Sequence, residues 1–148
     1  MKFSQPLQSS RLIKRYKRFL ADVKHPDLGE ITVHCPNTGS MLNCWAEDWT
    51  AWLLDSHNPK RKYRYTWVLS ENDKGEKIGV NTHFANQLVW EALQADKIAE
   101  LSGQKTIQKE VKYGEENSRI DFLLTDHHEH KTYVEVKSVT LLGEDGLG

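Results

Sequence analysis

Asp121, Glu135 and Lys137 are the residues of this chain whose types and spacing could do chemistry. They lie in two strictly alternating segments, Arg119-Ile120-Asp121-Phe122-Leu123-Leu124 and Tyr133-Val134-Glu135-Val136-Lys137, which flank a polar turn and read as a hairpin of half-buried strands. Burying Ile120, Phe122 and Leu124 with Val134 and Val136 leaves Arg119, Asp121, Glu135 and Lys137 together on the other face. A turn centred near His128 sets Asp121 opposite Glu135, with Cβ atoms about 5 Å apart, and two like charges so placed repel. A divalent cation between them would relieve that. Magnesium or manganese suits carboxylate oxygens and leaves room for a substrate phosphate. The competing reading is an amphipathic hairpin whose outer face carries ordinary cross-strand ion pairs, and the hairpin alone does not choose between the two.

An Asp, a gap and then Glu-x-Lys on a strand is the shape of the PD-(D/E)xK nuclease core. Two carboxylates would hold metal, and the adjacent Lys137 would orient a water or stabilise charge growing on phosphate. Upstream, Thr82 is a helix N-cap signal, and His83–Leu101 has helical periodicity with Phe84, Leu88, Ala92, Ala95, Ile98 and Ala99 on one face. Glu91 falls within that face, where a carboxylate is costly unless paired or metal-bound. It is therefore the third acidic candidate, so that the expected metal set is Glu91, Asp121 and Glu135. A modest rotation of the helix would put Glu91 at a solvated border instead.

The elements that position these groups belong to a chain of 148 residues with net charge −1, enough for one ordinary domain or two small ones. Residues 1–80 carry 13 Lys and Arg against 9 acids, and residues 81–148 carry 7 against 12. Such asymmetry suits a basic region for an anionic partner and an acidic region for cations. No apolar run is long enough to span a bilayer and no signal-peptide pattern is present, which predicts a soluble, cytoplasmic protein. Cys35 and Cys44 are too few for a disulfide framework. With His34 they make a poor zinc cluster, lacking a CxxC pair and a fourth ligand. Asp126-His127-His128-Glu129-His130 is metal-like in composition but lies where the hairpin must turn, and reads as a solvated turn.

Basic charge concentrates in two runs, Arg11, Lys14, Arg15, Lys17 and Arg18, and then Lys60, Arg61, Lys62 and Arg64. Aromatic residues, among them Tyr16, Phe19, Tyr63, Tyr65 and Trp67, accompany them. Basic groups release counterions from a phosphate backbone and aromatics stack on bases, so the combination predicts nucleic-acid binding; a solvated surface over an aromatic core is the alternative. The spacing of Leu12, Tyr16, Phe19 and Val23 suggests a helix. Elsewhere residues 1–80 are strand-rich: Glu30–His34 alternates, Trp49–Leu54 and Tyr63–Leu69 are short apolar or alternating runs, and Lys77–Val80 follows the Asp73-Lys74-Gly75 turn. Four or five short strands in that length suit a small barrel.

His34-Cys35-Pro36-Asn37-Thr38-Gly39-Ser40-Met41, Gly79-Val80-Asn81-Thr82 with Ala85-Asn86, Arg119-Ile120-Asp121-Phe122, and Val134-Glu135-Val136-Lys137-Ser138-Val139-Thr140-Leu141 together resemble the sugar fermentation stimulation protein A (SfsA) family. The resemblance runs the length of the chain. It implies an α+β protein: an N-terminal OB-fold β-barrel over 1–80 and a PD-(D/E)xK nuclease-like α/β domain over 81–148. That second domain should be truncated at its C-terminus, because the family continues past the Glu-x-Lys strand. The resemblance also implies that Arg11–Val23 is one long bent barrel strand rather than a helix. Its nuclease-like site falls on Asp121, Glu135 and Lys137, with Glu91 as the helix acid. Functionally it implies a bacterial protein that binds DNA without sequence specificity and helps regulate sugar genes, notably for maltose use. Phosphate contacts give affinity without sequence information. The rivals are a metal-dependent nuclease and a barrel that binds a small ligand or a protein. The sequence leaves a homodimer open.

Overall fold

The computed structural model describes residues 1–114 and 118–139. Their contacts divide into two compact units, Lys2–Thr82 and His83–Ser138, with Met1 grouped in the latter.

The first unit is built from β1 (Gln8–Tyr16), β2 (Leu20–His25), β3 (Gly29–His34), β4 (Thr50–Asp55), β5 (Tyr65–Glu71) and β6 (Lys77–Gly79). The strand order is β3-β2-β1-β4-β5-β6, and a parallel pairing of β3 with β5 at His34 and Thr66 closes the first five strands on themselves. This is an OB-like barrel. Alternation supplies its interior: Ser10 and Leu12 of β1, Ala21 and Val23 of β2, and Ala51 and Leu53 of β4 point inward. Closure requires strands to coil, and the register slips between Leu12 and Lys14 and between Trp52 and Leu53 supply the bends. The core gathers Leu12, Val23, Val33, Leu53, Tyr65, Trp67 and Val80 around the thiols of Cys35 and Cys44. Both cysteines are buried and neither is in a disulfide, and Cys35 Sγ lies 3.7 Å from Met41 Sδ.

Arg11–Val23 is neither a helix nor one strand. The chain leaves β1 at Tyr16, turns through Lys17-Arg18-Phe19 and pairs back, Tyr16 opposite Leu20 and Leu12 opposite Val23. The spacing that imitates a helix joins residues of two strands, and of the four only Leu12 and Val23 are buried. Lys17 and Arg18 take φ of 49° and 63°, left-handed values that cost L-residues about 1–2 kcal/mol each. Between β3 and β4, residues 35–49 carry no helix or strand. The segment is tied down by backbone bonds, including Cys35 N–H to the Phe19 carbonyl at 2.8 Å and Leu12 N–H to the Trp49 carbonyl at 2.8 Å.

The second unit contains α1 (Phe84–Gln94), a 3-10 turn (Ala99–Leu101) and an antiparallel sheet of β7 (Thr106–Lys112), β8 (Arg119–Thr125) and β9 (Lys131–Val134) in the order β7-β8-β9. Its buried cluster is Leu93, Phe122 and Leu124, with Val89, Trp90, Ile98, Ile107, Val134 and Val136 packed around it. The helix is shorter than its periodicity suggests. It starts after His83 with no side-chain cap and stops at Gln94, followed by the left-handed Asp96 at φ 49°. Its buried face is also turned by about one residue, some 100°. Leu93 is buried while Leu88 is 48% exposed, and Trp90 lies over Phe122 with ring centroids 6.0 Å apart. Covering Trp90 and Leu93 removes far more apolar area from water than covering the alanine stripe would.

Candidate functional site

The two basic runs of the barrel reach two loops: Lys17 and Arg18 lie in the β1–β2 turn and Lys60, Arg61, Lys62 and Arg64 in the β4–β5 connection, whereas Arg11, Lys14 and Arg15 belong to β1. In an OB barrel these are the loops that, with the face of the second and third strands, contact oligonucleotides.

The nine basic residues do different jobs. Arg15 is a clamp: its guanidinium donates to the carbonyls of Arg18 at 2.7 Å, Gly39 at 2.8 Å and Asn37 at 2.9 Å. The turn and the Asn37–Ser40 loop are thereby fastened together through Nη2, while Nη1 lies 3.5 Å from the Ser40 carbonyl and Nε is buried. Arg11 pairs with Asp48 at 3.4 Å on exposed side chains, and the exposed Lys14 pairs with the half-buried Asp22 at 3.5 Å. Tyr16 is likewise occupied, its hydroxyl donating to Asp22 at 2.9 Å. By contrast Lys17, Arg18, Lys60, Arg61 and Lys62 are exposed and form no ion pair with another described residue. Each of these groups has an aromatic beside it. Phe19 is exposed in the turn, and Tyr63 has the Lys62 ammonium 5.5 Å from its ring centre. Tyr65 and Trp67 belong to the core.

Arg64 is committed to Asp55 through a fork of 2.9 Å and 2.6 Å. The donated Arg64 hydrogen bonds, with a further one from the His57 N–H, hold the Asp55 carboxyl at a pKa of about 2 against the desolvation of its site. A further cation of the barrel lies outside the two runs. Lys24 of β2 is the cross-strand partner of Arg11, and the two line an open cleft of about 350 Å³ with Ser9, Ser10, His25 and Thr50. It is isolated in sequence, and only the alternation of β2 could have revealed it.

The acidic residues of the second unit are arranged differently from the sequence expectation. The β8–β9 register agrees with a turn near His128, Phe122 facing Val134 and Leu124 facing Thr132. However, β9 ends at Val134, so Glu135 and Lys137 lie past the strand, exposed and paired with each other. Pairing with Glu135 raises the Lys137 pKa. Asp121 accepts from the Asn86 side-chain amide at 2.7 Å and from the Val136 N–H at 2.7 Å, one donor on each oxygen. Glu91 binds the Met1 ammonium at 2.8 Å and the Gln87 amide at 3.1 Å, with 42% of its side chain exposed. The ammonium bond is the main cause of its lowered pKa.

Among the described residues no three His, Cys, Asp or Glu side chains converge as a metal ion would require. The repulsion expected between Asp121 and Glu135 is relieved by an amide, a backbone N–H and a lysine. Glu91, Asp121 and Glu135 do not converge on one point among the described residues. The helix residue that faces Asp121 is Asn86, which charge-based reasoning passed over. Asn86, Gln87, Lys109, Glu110, Asp121 and Phe122 line a cleft of about 220 Å³, with the Lys109 ammonium 3.8 Å from the Trp90 ring centre. Asp126 organises the histidine-rich turn by accepting from His128 N–H at 2.7 Å and His130 N–H at 2.9 Å, and the three imidazoles stay exposed. Thr140 and Leu141 of the last family-like block lie outside the described residues.

Comparison with known proteins gives the same picture along the whole chain. Residues 13–80 match the SfsA N-terminal OB domain and residues 83–147 the sugar fermentation stimulation protein RE domain. A sugar fermentation stimulation protein homolog of Shewanella frigidimarina is 54% identical over all 148 residues, which cover 63% of that protein. The homolog of Shewanella woodyi is 52% identical over 153 aligned residues, covering 64% of its length. Among solved structures, Pyrococcus furiosus SfsA in complex with Ca2+ superposes with a TM-score of 0.73 at 22% identity, over 91% of this chain and 55% of that one. The likeness to that structure concerns the fold.

Proposed function

The chain belongs to the sugar fermentation stimulation protein family, and from that premise we propose that it binds DNA through phosphate contacts, without reading sequence, in the regulation of sugar metabolism. It spans about 63% of the length of the curated relatives it matches, and the proposal concerns what this portion contributes. The observation that carries it is the location of the free cations. Lys17 and Arg18 occupy the β1–β2 turn, and Lys60, Arg61 and Lys62 the β4–β5 loop, the two oligonucleotide-contacting loops of an OB barrel. Five cations without an ion-pair partner among the described residues, Arg61 also lying 3.5 Å from the Thr66 hydroxyl, with an aromatic beside each group favour a phosphodiester strand, since stacking on Phe19 or Tyr63 suits any base. No helix in the barrel unit is available to enter a major groove among the described residues.

The test is fluorescence anisotropy of a labelled duplex against salt, with EDTA present. Affinity should fall linearly in log salt, equally for unrelated sequences, with a slope near −0.9 per phosphate neutralised. No binding even at low salt would overturn the proposal.

A second reading, phosphodiester cleavage at Asp121, Glu135 and Lys137 with magnesium or manganese, is favoured by the RE-domain match and by the calcium named with the Pyrococcus relative. The pairing of Asp121 with Asn86 and Val136 weighs against it in this arrangement. Nicking of supercoiled plasmid in either metal, lost in Asp121→Ala, would support cleavage. Intact plasmid under the same conditions would reject it.

A further inference from the structure

The β4–β5 loop owes its shape to one buried anion. Asp55 is the last residue of β4, and its side chain is 2% exposed although it stands at the mouth of a basic loop. Its Oδ1 accepts from Arg64 Nε at 2.9 Å and from the His57 N–H at 2.8 Å, and its Oδ2 accepts from Arg64 Nη2 at 2.6 Å. The same two stems are joined along the backbone, Ser56 N–H to the Arg64 carbonyl at 3.0 Å. Gln5 completes the ring by donating to the Asp55 carbonyl while its own oxygen meets the His57 imidazole. Between these ties the loop makes an inner turn, with Asn58 Oδ1 accepting from Lys60 N–H at 3.0 Å and the Asn58 carbonyl accepting from Arg61 N–H at 3.1 Å. Lys60, Arg61 and Lys62 therefore project from a loop fastened at both ends to one carboxylate.

On charge alone, a carboxylate beside a DNA-binding loop should weaken binding, and removing it should help. A loop held in one conformation carries less ordering cost into the complex than a free one, and that works in the opposite direction. We infer that Asp55 is a positioning residue for the DNA contact, which it strengthens despite its charge by holding Arg64 and His57 so that Lys60, Arg61 and Lys62 meet the phosphate backbone together. The inference rests on the DNA-binding reading above.

The two contributions predict opposite signs for one substitution. Asp55→Asn makes the protein more positive by one charge, removes an acceptor of the Arg64 fork and loosens the loop. Its affinity for a labelled duplex should fall at least threefold in anisotropy at 50–100 mM salt, and the log–log salt slope should become shallower by about 1–2 as Lys60, Arg61 and Lys62 cease to act together. Arg64→Lys keeps net charge and removes the planar fork, and it should lose affinity in the same direction. It also serves as the test should Asp55→Asn fail to fold, as judged by its melting curve. Folded variants that bind as tightly as wild type or tighter, with an unchanged slope, would overturn the inference and leave the DNA-binding reading intact. Absence of wild-type binding would overturn both.

Discussion

The barrel and the helix-and-sheet unit treat charge in opposite ways. In the barrel, a closed ring of strands buries twelve of the described residues in one cluster, and the cations of its two basic runs that lack an ion pair among the described residues stand on loops that closure leaves outside. In the second unit, three strands and one helix bury a cluster of three, and the acids singled out from its sequence are each taken by a neighbour: Asp121 by Asn86 and Val136, Glu135 by Lys137, Glu91 by Gln87 and the Met1 ammonium. A charged residue is available for a ligand when the fold has met its own needs elsewhere. Composition alone, basic in one half and acidic in the other, does not distinguish available charge from charge already used.

The largest test of this contrast is in the cores. Trp67→Ala should cost about 3–5 kcal/mol in denaturant unfolding, and Phe122→Ala should cost less because its cluster is smaller and more open. Equal costs would remove core size from the comparison. Next is the simultaneous change of Lys60, Arg61 and Lys62 to Ala, which should weaken duplex binding roughly 10- to 100-fold at moderate salt and flatten the salt slope by up to about 2.7. Lys105→Ala, in a cation of the other unit already paired with Glu129, should leave both unchanged in the same titration.

Acid should act on the barrel through Asp55. A carboxyl whose folded pKa is depressed to about 2 stabilises the fold fully above its unfolded value near 4 and loses that contribution as pH falls through 2. The gap between wild type and Asp55→Asn in unfolding free energy from urea titration, on the order of 2 kcal/mol at pH 5, should close between pH 4 and pH 2. A gap that persists at pH 2 would locate the stabilisation in shape rather than ionisation. The smallest effect belongs to the β1–β2 turn. Lys17→Gly relieves a left-handed residue and should raise stability by up to about 1 kcal/mol in thermal melts while weakening DNA binding, so that strain and contact separate in one variant.

Strand-by-strand reading recovered the elements whose alternation is carried by strong apolar residues. Ile120, Phe122 and Leu124 against Val134 and Val136 gave the hairpin register, and the runs at Ile31, Trp52 and Trp67 marked β3, β4 and β5. It went astray where two periods coexist. Leu12, Tyr16, Phe19 and Val23 share a helical spacing only because a tight turn separates the two strands that hold them. The face of α1 was misplaced because counting apolar residues weighs Ala92 and Ala95 as heavily as Trp90, and area does not. β7 was overlooked altogether: Ile107 and Val111 are its only apolar residues, and an edge strand needs little more. Asn86 entered only through the family-like block, without a role, because an uncharged amide leaves no mark on a charge pattern, although its bond to Asp121 helps to orient that carboxylate. In the basic runs, residue type marked the cations, and only the hydrogen bonds separated the exposed Lys17 and Arg18 from the occupied Arg15.

In the proposed complex Arg15 acts through the two segments that it joins. By holding carbonyls from the Lys17–Phe19 turn and from the Asn37–Ser40 loop at once, it makes two separate surface segments move as one. The loss of freedom that an incoming strand would otherwise impose on them has already occurred during folding. Association at this edge should then carry a small entropic penalty and a modest heat-capacity change beyond that of the buried aromatic area, and cutting the clamp should register first in the entropy of binding, before any change in the number of salt-sensitive contacts.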